Sequence, residues 1–277
     1  MAIVAHTSRF GKISRPILAW AVGLLFFFPI FWMVLTSFKT DADAVKPEFL
    51  IFFTPTLENY LNMTENYDYW RFAQNSVITS VFATLFTLAV GIPCAYAMAF
   101  NPSRGTKDIL MWMLSTKMLP AAAVLYPMTF LTKSLGLFDT HFMIILVLSL
   151  INLPIVVWML FTYFKEIPKD IIEAGKMDGV NTWGEVTEIL IPLAWGGIAS
   201  TALLCFIFCW NEAYWTVRLT TTEAATLSKL IEGNRAPEGL FFGRLSAVST
   251  AAVGPIVVLG WFCQKQLVQG LTFGAVK

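Results

Sequence analysis

Long apolar runs separated by short polar stretches dominate the chain. Six such runs fall at about 17–38, 77–100, 109–131, 142–164, 193–217 and 245–263, each near the ~20 residues that cross a hydrocarbon core as a helix. Lipid offers no partner to open backbone, so all six are predicted as helices. Arg9, Lys12 and Arg15 precede the first run without an acid among them, whereas the loop after it carries Asp41, Asp43, Glu48, Glu58, Glu65 and Asp68. This asymmetry predicts a cytoplasmic N-terminus. Six crossings return the C-terminus to the cytoplasm, and Arg104 with Lys107 in the second loop agrees. The expected fold class is an all-α membrane protein with six transmembrane helices, a single transmembrane domain over 1–277.

Composition supports this reading. Of the 277 residues, 57% are hydrophobic and only 13% charged, against roughly 25% charged in soluble domains. A net charge of +1 gives no field for nucleic acid. Cys94, Cys205, Cys209 and Cys263 lie in apolar runs and read as small core residues. The first run is too long for a cleaved leader and reads as a signal anchor. Pro29, Pro93, Pro120, Pro127, Pro154 and Pro255 predict kinked helices. Enzyme chemistry finds no support: Phe10-Gly11-Lys12-Ile13 lacks the rest of a phosphate-cradling loop, and His6 and His141 lie in flanks.

The loop 165–192 stands apart. It is predicted to be cytoplasmic, yet it carries Glu166, Asp170, Glu173, Asp178, Glu185 and Glu188, against the positive-inside tendency. Pro168 and Asp170 suit a helix start, and Gly179 suits its end. A short helix of about three turns is expected, with Ala174 and Gly175 leaving one face bare enough to dock in a partner's groove.

Glu173-Ala174-Gly175, three residues, Gly179, nine residues and Ile189-Leu190-Ile191-Pro192 resemble the EAA loop of permease subunits of bacterial ATP-binding-cassette (ABC) importers. Gly175 stands for the second Ala of that motif and Ile191 for its Leu. Thr36-Ser37-Phe38-Lys39, Asn59-Tyr60, Asn75-Ser76, Gly136-Leu137, Asp139-Thr140 and Trp210-Asn211-Glu212 resemble the carbohydrate-uptake branch, to which maltose permeases belong. Ser115-Thr116-Lys117-Met118-Leu119-Pro120, Pro237-Glu238-Gly239-Leu240-Phe241 and the ending from Gln264 to Lys277 resemble sorbitol/mannitol permeases. The resemblance implies a type I importer fold in the bacterial inner membrane. It also implies a second homologous permease, two ATPase subunits that hold ATP and Mg, and an extracytoplasmic solute-binding protein. This chain itself would need no cofactor or metal. Glu173, Ala174, Gly175, Asp178, Gly179, Ile189 and Pro192 are the ATPase-coupling residues it implies, and the polar tail 265–277 is a further expected partner contact.

Two ionisable residues fall inside predicted spans, Lys117 and Glu212, where charge is costly unless it faces a wet cavity. A neutral polyol needs paired donors and acceptors beside apolar or aromatic walls. Lys117, Asn152, Asn211 and Glu212 can supply the former, and Tyr126, Trp158 and Trp210 the latter. Opposite signs make a Lys117–Glu212 pair conceivable. Asn152 has an alternative role in satisfying backbone freed by Pro154. An ion-coupled secondary carrier is the alternative function, but Glu212 is the one carboxylate the predicted spans embed.

Overall fold

The computed structural model describes residues 9–46, 51–235 and 241–264. Glu48, the Pro237-Glu238-Gly239-Leu240 stretch and the tail 265–277 lie outside these residues. Among the described residues every regular element is helical. The principal helices are α1 (Arg9–Ser37), α2 (Tyr69–Phe100), α3 (Thr106–Thr116), α4 (Ala121–Ser134), α5 (His141–Lys165), α6 (Lys169–Met177), α7 (Thr182–Leu193), α8 (Trp195–Trp210) and α9 (Phe242–Phe262).

The part of α1 from Arg15 to Ser37, α2, α5 and α9 are each long and apolar enough to cross a bilayer. The runs predicted at 109–131 and 193–217 are not single straight helices. The third is broken where α3 meets α4 at 87°, and α7 meets α8 at 85° just ahead of the fifth. Counting each bent pair as one crossing gives six.

Local chemistry accounts for both bends. After α3 the chain tightens into three-residue turns, Lys117, Met118 and Leu119 donating to the carbonyls of Leu114, Ser115 and Thr116. Pro120 then disfavours helical backbone at Leu119. Before α8, Pro192 has no N–H for the carbonyl of Glu188. The preceding residues Glu185–Leu190 widen into a π-helical turn, and Ala194 marks the corner. Elsewhere proline is absorbed: α1, α2, α4, α5 and α9 continue through Pro29, Pro93, Pro127, Pro154 and Pro255.

The described residues gather into two compact units, one drawn from residues up to Asp68 and from Gly233–Val253, the other from Tyr69–Glu232 and the residues after Val253. In the larger unit, α2 buries a stripe of small side chains at helical spacing: Ser80, Thr84, Thr87, Gly91, Ala95 and Ala99. Against it α5 sets Ile144, Val147, Leu148, Val156, Val157, Leu160 and Phe164. Small residues let membrane helices approach closely, which is where their packing energy comes from. A Cβ at Gly91 would lie 3.1 Å from Val156 Cγ1, and one at Gly197 of α8 only 2.7 Å from the Tyr163 ring.

The end of this unit where α4 leads into α5 is tied by side chains. Asp139, in left-handed backbone at φ 61°, accepts from the hydroxyl of Thr221 and from the N–H groups of Thr222, Glu223 and Ala224. Burial alone would raise its pKa, but these donors outweigh that and hold the carboxyl well below the usual carboxylate range. Asn75 donates to the carbonyls of Glu223 and Ala225 at 2.9 Å and meets His141 Nε2 at 2.8 Å. Ser76 Oγ accepts the N–H of Leu227.

The smaller unit uses the same device. Asn59 donates to the carbonyls of Ser37 (3.0 Å) and Lys39 (2.7 Å), and Tyr60 Oη meets Ser37 Oγ at 2.7 Å. Asp41 Oδ1 accepts from the N–H groups of Gly243 and Arg244 at the start of α9, orphan donors that a carboxylate satisfies well. Gly243 is the residue that fits there, since a Cβ would sit 2.9 Å from the carbonyl oxygen of Lys39.

Candidate functional site

The short helix expected in the loop 165–192 is present as α6. It spans nine residues, two and a half turns, and opens after Pro168 with Asp170 in its first turn. Its end is built by Gly179 at φ 82°. The N–H of Val180 reaches the carbonyl of Gly175, and that of Gly179 the carbonyl of Lys176. These two bonds are the Schellman pattern, which needs a residue tolerant of positive φ.

One side of α6 is anchored and the other is free. Ile172 is 1% exposed and Gly175 is buried, while Glu173, Ala174, Met177, Asp178 and Gly179 are exposed. A Cβ at Gly175 would stand 2.4 Å from Ile189 Cδ1, so the two ends of the motif pack directly on one another. Behind them Glu185 is 2% exposed, accepts a hydrogen bond from the Tyr96 hydroxyl of α2, and has Lys176 Nζ at 3.9 Å. The segment carrying α6 is thereby joined to a membrane helix. Sequence reasoning passed over Tyr96, and counted Glu185 only among six acids. Pro192 is exposed and shapes the bend into α8.

The intramembrane candidates divide. Lys117 and Glu212 line one cavity of about 380 Å³ between the α3–α4 corner, α5 and the residues after α8, with Thr116, Met128, Ile151 and Trp215. Lys117 sits at the corner, not mid-helix as a straight third span would have it. Among the described residues no ion pair joins it to Glu212. Its Nζ donates to Asn152 Oδ1 at 3.4 Å instead. Asn152 is buried and donates onward to the Leu148 carbonyl and toward Cys209 Sγ. Pro154 frees the carbonyl of Leu150, so Asn152 does not serve that role. Glu212 Oε1 accepts the N–H of Trp215 at 3.1 Å, capping the short helix Tyr214–Leu219.

Tyr126, Trp158, Trp210 and Asn211 are not among the residues lining this cavity. Tyr126 is 81% exposed, and Trp158 lines a different cavity near the end of α5. Trp210 packs on Phe206, and Asn211 donates back to the Ile207 carbonyl. The aromatic wall that is present is Trp215, which the Glu212 motif precedes by three residues.

Residues 91–271 match the family described as binding-protein-dependent transport system inner membrane component. The chain belongs to that family. A probable ABC transporter permease of Sinorhizobium fredii (y4oR) is 31% identical over the full length of both chains. A trehalose transport system permease of Mycobacterium tuberculosis (SugB) is 31% identical over 90% of this chain and 92% of its own. The fold is that of a bacterial ABC transporter importing the acidic polysaccharide alginate. One chain of its crystal structure superposes with TM-score 0.77 at 21% identity, covering 96% of this chain and 99% of the other.

This protein is thus an inner-membrane ABC importer permease and not an enzyme; ATP hydrolysis is the work of partner subunits. An importer of this family also works with a solute-binding protein. One side of α6 is thus buried and joined to α2 through Glu185 and Tyr96, and its other side is bare.

Proposed function

We propose that this permease forms, with a second homologous permease, the path for a neutral polyhydroxylated solute, a polyol such as sorbitol or mannitol or a related sugar. Two ATPase subunits carrying ATP and Mg dock on α6 and its counterpart. Glu173, Ala174, Asp178 and Gly179 form the docking face, while Gly175, Ile189 and Pro192 hold the helix in place. ATP-driven closure of the ATPases then turns α6 and the helices joined to it as near-rigid bodies.

The observation that carries this reading is the two-sided character of α6, Ile172 and Gly175 buried and Glu173, Ala174, Asp178 and Gly179 exposed. The carbohydrate class is supported by the trehalose system of the relative and by the Lys117, Asn152 and Glu212 donors and acceptors beside Trp215. The polyol class rests on the Ser115–Pro120 stretch and its likeness to sorbitol/mannitol permeases.

The test is co-purification of the tagged subunit from mild detergent, with chains identified by mass and counted. One homologous permease and two ATPase copies are expected, with ATP hydrolysis stimulated by sorbitol-loaded or mannitol-loaded binding protein. A homo-oligomer that transports without ATP contradicts the coupling. Stimulation by trehalose but by neither polyol contradicts the polyol class and assigns the path to a sugar.

A further inference from the structure

We propose that the cytoplasmic ends of α2, α3 and α5 form a binding site for the headgroup of an anionic phospholipid. A cavity of about 490 Å³ opens there, within the ~300–1,000 Å³ of small-molecule sites. Arg104 and Lys107 from one stretch of chain and Lys165 and Lys169 from another line it together with Trp158 and Phe161. All four cations are exposed, and among the described residues none of them is in an ion pair. The neighbouring acids Asp108, Glu166 and Asp170 do not line the cavity.

Positive-inside bias places lysines at this edge of the membrane, but it does not make them converge on a walled space. Here one end of the cavity offers charge and the other offers aromatic and aliphatic surface, the order in which a phospholipid presents phosphate and acyl chain. Basic pockets between membrane helices on the cytoplasmic side suit anionic headgroups. Trp158, whose ring sequence reasoning assigned to the solute path, lies on the apolar wall about two turns of α5 before Lys165, and Trp is enriched where membrane meets water. Lys165 Nζ lies 5.7 Å from the Phe161 ring centroid, holding the ammonium at the rim of that wall.

The site also reaches α6. Lys169 is the first residue of α6 and Ile167 lies just before it, and both line the cavity. A phosphate held between Lys169 and Lys107 ties the start of α6 to the start of α3. Bound lipid therefore steadies α6 relative to the membrane helices. The proposal rests on this chain's own geometry and stands apart from the choice of solute.

The experiment is native mass spectrometry of the transporter purified through this subunit from nanodiscs holding equal phosphatidylglycerol and phosphatidylcholine. The wild type is expected to retain phosphatidylglycerol preferentially. Replacing Arg104, Lys107, Lys165 and Lys169 together by Gln should lower that preference about tenfold or more, while Lys→Arg at 107, 165 and 169 should keep it. If the fourfold variant does not assemble, the double change Lys107→Gln with Lys165→Gln reads the same way with a smaller loss. Equal retention of both lipids by the wild type, or a preference unmoved by the Gln variants, overturns the proposal. So does displacement of the retained lipid by inorganic phosphate, which marks a soluble-anion site, or cross-linking of the Lys107→Cys variant to a partner chain, which marks a protein contact.

Discussion

Gly175 and Ile189 lie fourteen positions apart and touch so closely that a Cβ on the first would stand 2.4 Å from Cδ1 of the second. Family resemblance puts Ala at position 175, and the contact explains how this chain differs. The atom met is the free end of a flexible side chain, which can turn away. Gly175→Ala is therefore expected to stay within about 1 kcal/mol of wild type, the helix preference for Ala offsetting the shift of Ile189. Gly175→Leu cannot be absorbed in this way and should lift α6 from its seat. Protein level and detergent melting should fall modestly while uptake is lost. Normal uptake by an inserted Gly175→Leu subunit would separate this contact from coupling.

The fold and the motif were largely legible from residues. Apolar run length found the long helices, and Pro168, Asp170 and Gly179 delimited α6. Less legible was what the shared motifs do. Asn59, Asn75 and Asp139 stand in the sequence only as marks of resemblance and Glu212 as a solute-path candidate, yet each bonds backbone N–H or carbonyl groups of its own subunit. A sequence shows which residues carry donors and acceptors but not which backbone groups are left without partners. The bends were hidden for the same reason: Pro120 and Pro192 break or turn the chain, while six other prolines sit in continuous helices.

Asp139 makes stability depend on pH in one direction. Its folded pKa lies below that of the unfolded chain, near 3.9, so the stabilisation is fully present above that value. It is lost as pH falls through the lower, folded value. Asp139→Asn should lower stability at pH 7 by about 2–3 kcal/mol, the scale of lost charge-assisted hydrogen bonds. The gap between wild type and variant should hold down to about pH 5 and narrow below pH 4. Thermal melting in detergent across that range checks it, and a gap that widens on acidification contradicts the sign.

Lys117 tests the path. Lys117→Met removes the donor to Asn152 Oδ1 but keeps an unbranched apolar stem at the corner. If the cavity holds solute, the apparent KM for the polyol should rise about tenfold, the scale of one hydrogen bond to a charged group, with assembly and basal ATP hydrolysis intact. Unchanged affinity and uptake would leave the cavity as architecture and assign the solute contacts elsewhere.

Driven transport through α6 is tested most directly at Gly179. Nothing lies within 4 Å of a Cβ built there, so a side chain at this position starts out from the exposed face into open space. The positive φ penalises any residue but glycine, and Asn tolerates it best. ATP-driven solute uptake should be measured in proteoliposomes for Gly179→Trp and Gly179→Asn at matched insertion. Coupling through this face predicts that the Trp variant loses ATPase subunits and uptake together, while the Asn variant keeps both. Full uptake by the Trp variant, with the ATPases still bound, would contradict it.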